Sequence, residues 1–438
     1  MESLFVAFVV LLLVILFLGL GVWVFAGLLL VSATALVLLI DMDLHRIGTI
    51  ISPLIIRSST TWELSAIPMF IWMGEIMLRT DISDRLFRGL SPLTYYFPGR
   101  LLHTNIAGSA LFAAVSGSSA ATTATVGKIT MTELGKRGYA KSLTYGSLAG
   151  AGSLGLLIPP SIVMIVYGVL AEVSIARLFA AGVLPGLMLS GLYAVYVGVI
   201  ALIWPRLVAE DDVRPSLGDI LRGIWNLVPI SILIFVVLGS IYSGIATPSE
   251  AAAVGVMTTL GLTLVTGQFR LDMFFGSLIA SVQTGCMICI ILIAASFLST
   301  AMGFLHVPQD VAIAIGAFDL TPLQLIGILA IFYVILGMFL EGISITVMSL
   351  PITLPLVIAA GFDPIWFGVF LVIMVELAQI TPPIGFNLFI IQGLTGTPIM
   401  RVALYAAPFF VLMCMGAFII TIFPEIALWL PELLFQPR

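Results

Sequence analysis

Long apolar runs, broken by short polar or glycine-bearing segments, dominate the chain from end to end. Leu4 to Leu18 and Val22 to Ile40, split by Gly19 and Gly21, predict two membrane helices. Asp41 to Trp62 is mixed and predicts an interfacial segment, and Leu64 to Leu78 predicts the next span. Arg79 to Arg100 is amphipathic, with Arg79, Arg85, Arg88 and Arg100 among Leu, Phe and Tyr, and predicts a helix lying in the membrane surface. Leu178 to Trp204, Ile224 to Ile241, Ala246 to Val265, Cys286 to Phe304 and Val402 to Phe423 are further spans, with Gln268 to Ser281 as a surface segment. Pro205 to Arg222 is the longest polar loop, contains Glu210-Asp211-Asp212, and is the natural boundary between two halves.

Two charge-poor stretches cannot be continuous helices. Ser142 to Ala171 is long enough to cross a bilayer, but Pro159-Pro160 lies in its middle. Tandem prolines remove two backbone donors, clash with the preceding turn and push the residue before them out of the α region. Pro382-Pro383 repeats the break 223 residues later, and Pro408 repeats Pro185 at the same offset. Upstream of each break lies a small-residue tip, Ser116-Gly117-Ser118-Ser119 in one half and Glu341-Gly342-Ile343-Ser344 in the other. Leu101 to Gly135 and Thr321 to Ala360 therefore predict hairpins around these tips. Each arm of the first is nearer 15 residues, or roughly 22 Å, too short for two full crossings. Paired interrupted segments in two halves point to a transporter's binding site.

Charge sets the orientation. Basic residues flank the first hairpin on both sides, Arg79 to Arg100 before it and Lys128, Lys136, Arg137 and Lys141 after it, so both ends belong on the cytoplasmic face. The flanks of the second hairpin, His306 to Asp319 and Asp363, lack Lys and Arg, as an external face should. In this layout all 17 basic residues lie cytoplasmic except Arg46, Arg57, Arg177 and Arg438. The expected fold is an all-α polytopic membrane protein, an inverted repeat with two re-entrant helical hairpins and two broken helices, with a periplasmic N-terminus. Residues 1–100 would be scaffold helices and interfacial segment of the first repeat, and 101–204 its transport part. Residues 205–222 would be a cytoplasmic linker, 223–320 the scaffold of the second repeat, and 321–438 its transport part.

With 61% hydrophobic and 9% charged residues and a mean hydropathy of +1.22, the 438-residue chain has no segment able to fold as a soluble domain. The start, without a basic leader, argues against a cleaved signal peptide. Cys286 and Cys289 form a C-x-x-C in an apolar run with no second pair and no nearby histidine, and read as packing residues. His45, His103 and His306 are scattered near membrane edges. No nucleophile–base pair, metal cluster or nucleic-acid signature is visible, so an enzyme is not expected.

Four half-helices should begin near mid-membrane, after Ser118, Pro160, Gly342 and Pro383. Their N-termini present free N–H groups and partial positive charge, which suit anions. The unwound carbonyls beside them suit a hard cation such as Na⁺. Ser116, Ser118, Ser119, Thr122, Thr123, Ser161, Ser344, Thr346, Thr381 and Asn387 add hydroxyls and an amide, and no Arg or Lys lies deep in either tip or break. Gly146, Gly150, Gly152 and Gly155 read mostly as helix-packing positions. Glu75 and Glu250, near span ends, read as helix-end or interface groups. Glu341 and Glu376 could tune a cation site, pair with local donors or relay protons.

These residues resemble those of a known family, the large membrane subunit of tripartite ATP-independent periplasmic (TRAP) transporters. The resemblance covers essentially the whole chain. It rests on Ala66-Ile67-Pro68-Met69-Phe70, Met73-Gly74-Glu75, Ser116-Gly117-Ser118-Ser119-Ala120, Ile158-Pro159-Pro160-Ser161, Leu184-Pro185-Gly186, Thr247-Pro248-Ser249-Glu250 and Ile380-Thr381-Pro382-Pro383-Ile384-Gly385-Phe386-Asn387. Pro98-Gly99-Arg100 departs from the pattern, where many members have a second glycine. The resemblance implies an elevator-type Na⁺ symporter for organic acids, Na⁺ being a coupling ion and no cofactor being needed. Implied partners are a periplasmic substrate-binding protein, a small four-helix membrane subunit on a separate polypeptide, the organic acid and membrane lipid, in a bacterial inner membrane. Sodium sites would lie between each hairpin tip and the facing break. The sodium residues expected are Ser116, Gly117, Ser153, Gly155, Pro159, Glu341, Gly342, Glu376, Thr381 and Pro382. The substrate residues expected are Ser118, Ser119, Thr122, Pro160, Ser161, Ser344, Pro383, Gly385 and Asn387. Two other readings stay open, a stand-alone sodium/divalent-anion symporter and an anion channel.

Overall fold

The computed structural model describes residues 2–208, 214–307, 309–310, 313, 320–383 and 385–435. Among them are nineteen α-helices and no strand. Chain order gives α1 (Glu2–Gly19), α2 (Val24–Ile40), α3 (Leu44–Thr60), α4 (Ala66–Leu78) and α5 (Ile82–Thr94). The first hairpin is α6 (Leu102–Ser116) and α7 (Ser119–Lys136). The first broken helix is α8 (Lys141–Gly152) and α9 (Ile162–Leu170), and α10 (Ile175–Ile203) follows. The second half has α11 (Leu217–Tyr242), α12 (Pro248–Val265) and α13 (Leu271–Phe304). The hairpin α14 (Pro322–Gly337) and α15 (Gly342–Ala359) comes next, then the broken pair α16 (Pro364–Gln379) and α17 (Phe386–Thr395). The chain closes with α18 (Ile399–Ile422) and α19 (Glu425–Phe435). Six of these helices are long and apolar enough to cross a membrane: α10, α11, α12, α13, α15 and α18.

The two halves interlock. The second arm of the first hairpin, α7, packs against α17, and the second arm of the other hairpin, α15, packs against α9. Likewise α8 lies along α18, and α16 along α10. Each half therefore covers the other's broken helix, as an inverted repeat requires. A second set of contacts joins α2 to α13, α4 to α12 and α13, and α5 to α11. The most enclosed element is α16, every residue of which from Ile365 to Ala378 is buried. Its aromatic side chains stack along one face, Trp366 on Phe362 and Phe370 on Trp366, while the Trp366 indole donates to Ile420 O at 2.8 Å. A helix apolar on all sides belongs in the centre of a protein rather than against lipid.

Both ends of the first hairpin lie at one end of the molecule. Arg100, before it, and Arg137, after it, line a single cavity of about 760 Å³ together with Arg88 and Arg222. At the opposite end Arg57 of α3 meets Glu172, just past α9, at 3.4 Å. Arg57 is one of the four basic residues that the charge pattern placed outside. The pair is exposed on both sides, so it marks location more than it contributes stability.

Several expected boundaries shift. The surface segment Gln268 to Ser281 and the span Cys286 to Phe304 are one unbroken helix of 34 residues, α13. Nothing between them interrupts the helix, and at about 1.5 Å per residue it is long enough to leave the membrane core. The boundary loop is shorter than Pro205 to Arg222, because Ser216 and Asp219 form a capping box that starts α11 at Leu217. The arm α7 has 18 residues rather than about 15 and runs on to Lys136, which pairs with Glu133 at 3.7 Å. A helix after the last span, α19, was not expected; it starts beyond Pro424 with Glu425 in its first turn and packs on α10. Glu210-Asp211-Asp212, Ile384, Arg438 and most of the flank from 308 to 319 lie outside the described residues.

Arg100→Cys and Lys136→Cys should label from the same face of the membrane with a membrane-impermeant thiol reagent. Labelling from opposite faces would mean that the hairpin crosses the membrane and that the repeat is not inverted.

Candidate functional site

The first break is wide. Helix α8 ends at Gly152, a 3₁₀ turn covers Ser153–Gly155, and α9 starts ten residues after α8 ends. In the second half α16 ends at Gln379 and α17 begins at Phe386. Both Pro-Pro bonds are cis, Pro159-Pro160 and Pro382-Pro383. Three of the four expected half-helix starts carry a side-chain cap. The Ser118 hydroxyl accepts from Ala121 N at 3.4 Å, Ser161 from Met164 N at 3.3 Å and the Glu341 carboxylate from Ser344 N at 3.2 Å. The fourth begins at Gly385 without one.

The first tip seats directly on the first break. Gly117 ends α6 in the left-handed region, φ 60°, and its N–H bonds back to Ala113 O at 3.1 Å. Its own carbonyl accepts from Ile162 N at 3.4 Å. A Cβ on Gly117 would stand 2.8 Å from Pro160 O, closer than any side chain tolerates. The Ser116 and Thr122 hydroxyls meet at 2.9 Å, and Thr122 also donates to Ser118 O at 2.8 Å. Gly155 lies against the start of α7, where a Cβ would be 2.6 Å from Ser119 N. Gly155 was read as a general helix-packing position and also as a sodium residue; the structure gives it one particular contact, the tip. Ser153 is buried and its hydroxyl donates to Gly150 O at 2.6 Å, while Pro159, Pro160 and Ser161 are buried in the break.

The second tip and break are more open. Glu341 and Pro383 are exposed, Thr381 and Pro382 half-buried, and Phe386 and Phe389 are 49% and 46% exposed. Gly342 is buried beside Val375, Gln379 and the Leu156 side chain, so the second tip touches the end of α16 and also the first break. Ser344 is buried and its hydroxyl donates to Glu341 at 3.2 Å. Thr346 donates to Gly342 O at 2.9 Å, and Thr381 to Leu377 O at 2.7 Å. Gly385 fits against two break carbonyls; its Cβ would be 2.8 Å from Gln379 O and 2.9 Å from Thr381 O.

Glu376 has partners that the sequence did not point to. It is 1% exposed, and its Oε1 accepts from the Ser119 hydroxyl and, at 2.7 Å, from Leu156 N. Local donors are thereby replaced by donors more than two hundred residues away, in the other half. Its Oε2, Gln379 Oε1 and both amide atoms of Asn387 are buried without a hydrogen-bond partner. Buried polar atoms are rarely left so, and these flank the second break on both sides, Glu376 and Gln379 before it and Asn387 after it. Gln379 was missed, although a lone amide three residues before Pro382 in an apolar helix was a readable signal.

Broken helices meeting two hairpin tips inside an inverted repeat define a membrane transporter of the elevator-type fold. The fold resembles that of the YdaH transporter from Alcanivorax borkumensis, with a TM-score of 0.61 and 14% identity over 95% of this chain and 98% of that one. Residues 9–426 match the model of the tripartite ATP-independent periplasmic transporter, DctM component, and the chain belongs to that family. It is 33% identical to the C4-dicarboxylate TRAP transporter large permease protein of Pseudomonas aeruginosa, over 86% of this chain and 88% of that protein. It is 31% identical to the ectoine/5-hydroxyectoine large permease protein of Ruegeria pomeroyi, over 90% and 91%. It is also 31% identical to the isethionate permease protein of Oleidesulfovibrio alaskensis, over 85% of this chain and 58% of that protein. The chain is thus a multi-pass permease subunit of a tripartite transporter and not an enzyme.

Gly155→Ala should force the first tip off its break, at a packing cost of about 1–3 kcal/mol. Uptake should fall by roughly tenfold or more while membrane expression persists, because a 1 Å displacement at a binding constellation is costly. Near-wild-type uptake by a well-expressed Gly155→Ala protein would show that the tip-to-break contact is not needed for transport.

Proposed function

We propose that this subunit carries out Na⁺-coupled symport of a small organic acid, a carboxylate of the C4-dicarboxylate kind, across a bacterial inner membrane. A periplasmic substrate-binding protein delivers the acid, and a small four-helix subunit completes the scaffold. The observation that carries this reading is the set of buried, unpartnered polar atoms at the breaks, Glu376 Oε2, Gln379 Oε1 and the Asn387 amide. They stand beside unwound carbonyls and half-helix N-termini. Carbonyls and a carboxylate suit Na⁺, and capped N-termini with hydroxyls suit an anion. Ser116, Gly117, Ser153, Gly155 and Pro159 would serve one cation, and Glu341, Gly342, Thr381 and Pro382 the other. Ser118, Ser119, Thr122, Pro160, Ser161, Ser344, Pro383, Gly385 and Asn387 would face the acid. The N-terminus would be periplasmic, and hairpins and broken helices would move together against the scaffold.

Each net positive charge carried inward down an inside-negative potential gains about 2.3 kcal/mol per 100 mV, which adds to the Na⁺ concentration gradient, and the reading requires these and not ATP. Uptake of radiolabelled succinate should be tested in proteoliposomes containing this chain, its small subunit and its binding protein. It should require inward Na⁺; uptake unchanged when K⁺ replaces Na⁺ would refute the coupling. Flux by the purified chain alone would favour a stand-alone symporter or a channel.

In the same assay Pro382→Ala with Pro383→Ala should abolish Na⁺-dependent uptake almost wholly, because a restored helix takes the break's carbonyls into its own hydrogen bonds. Asn387→Ala should be milder and weaken apparent affinity. Wild-type uptake by the double variant would reduce the break to a bend.

A further inference from the structure

The repeat is not symmetric at its most buried acidic residue. At the offset of 223 residues that superimposes the Pro-Pro breaks, Glu376 corresponds to Ser153. The Ser153 hydroxyl turns back into its own helix, to Gly150 O. The Glu376 carboxylate instead crosses to the other half and holds two backbone segments at once, the start of α7 through Ser119 and the end of the 3₁₀ turn through Leu156 N. Leu156 N–H, which also points to Leu154 O at the end of the turn, finds in Glu376 Oε1 an acceptor at 2.7 Å from the other half. Gly155 adds close contact between the same two segments.

The neighbours of Glu376 face the opposite hairpin. Val375 and Gln379 lie one helical turn apart on α16 and both border Gly342 at the second tip. The last turns of α16 therefore stand between the two tips, with one face against the second and Glu376 reaching the first. Hydrogen bonds at the second tip are local, Ser344 to Glu341 and Thr346 to Gly342.

We infer that Glu376 is a positioning residue that clamps the first hairpin tip to the first break from the opposite repeat, setting the spacing of the first cation site rather than binding the cation of its own repeat. This rests on the sodium reading above. A clamp needs an acceptor at Oε1 and not a formal charge, which separates it from a direct ligand.

The test uses Na⁺ alone, as the midpoint concentration at which NaCl raises the melting temperature of the purified full chain, with KCl holding ionic strength constant. Glu376→Ala should raise that midpoint about tenfold or more, the loss expected from two buried hydrogen bonds. Glu376→Gln keeps a carbonyl oxygen in place and should recover most of the loss, to within about threefold of wild type. Ser119→Ala should raise the midpoint about threefold and add nothing to Glu376→Ala in the double variant, as expected of partners in one interaction. An unchanged midpoint in Glu376→Ala or Ser119→Ala overturns the clamp, as does Glu376→Gln being as damaged as Glu376→Ala. If Glu376→Ala does not fold, Glu376→Gln and Ser119→Ala decide alone. Wild-type protein that melts alike in NaCl and KCl would sink the sodium reading itself, an outcome distinct from a failed clamp.

Discussion

Unwound backbone in the middle of the protein is the constraint on which the other features depend. Between Gly152 and Ile162 the chain has left the α-helix but not the buried core. Its N–H and C=O groups need partners, since an unsatisfied backbone group in an apolar setting costs several kcal/mol. Some bonds are local, as Leu157 N and Ile158 N to Leu154 O. The others come from outside the segment: Ile162 N reaches Gly117 O on the hairpin tip, and Leu156 N reaches Glu376 in the other half. The first broken helix is therefore held by a hairpin tip against it and a partner repeat behind it. The re-entrant hairpins follow from the breaks, and the interlocking of the halves follows from both.

The same constraint is met differently in the two halves. Break one is enclosed, with Pro159, Pro160 and Ser161 buried. Break two leaves Pro383 and Phe386 exposed, and its half-helix starts at Gly385 without a side-chain cap. Among the described residues the first tip is hydrogen-bonded across the repeats through Glu376, whereas the side-chain hydrogen bonds at the second tip, Ser344 to Glu341 and Thr346 to Gly342, are local. Local stability follows the number of cross-connections a segment makes, and the less connected segment opens first.

Periodicity and punctuation made the architecture legible before any coordinates. Proline pairs, tip glycines and the lysine and arginine bias gave the hairpins, the breaks and the inverted plan, because these are local signals with direct backbone or charge consequences. Element ends were less legible. Nothing between Ser281 and Cys286 stops a helix, yet a polar-tinged segment before an apolar run reads as a surface piece and a span rather than as one helix. The helix after Pro424 was lost because an apolar eleven-residue segment behind a long span reads as its tail.

Side-chain partnership was the least legible, and Glu376 shows why. Its position, six residues before a proline pair in an apolar helix, marks it as functional but says nothing about direction. From sequence, the natural partners of a residue on α16 are its own break and tip. In the fold α16 is enclosed on every side, so a side chain one position away from Val375 points about 100° around the helix and meets the other repeat. A buried carboxylate there cannot be left to itself; it takes whatever donors the packing offers, here Ser119 and Leu156. The two repeats share the order of tip, helix and break, but at the 223-residue offset Ser153 sits in a 3₁₀ turn and Glu376 inside a helix, and a single acid at one of the two positions suffices to make their sites different.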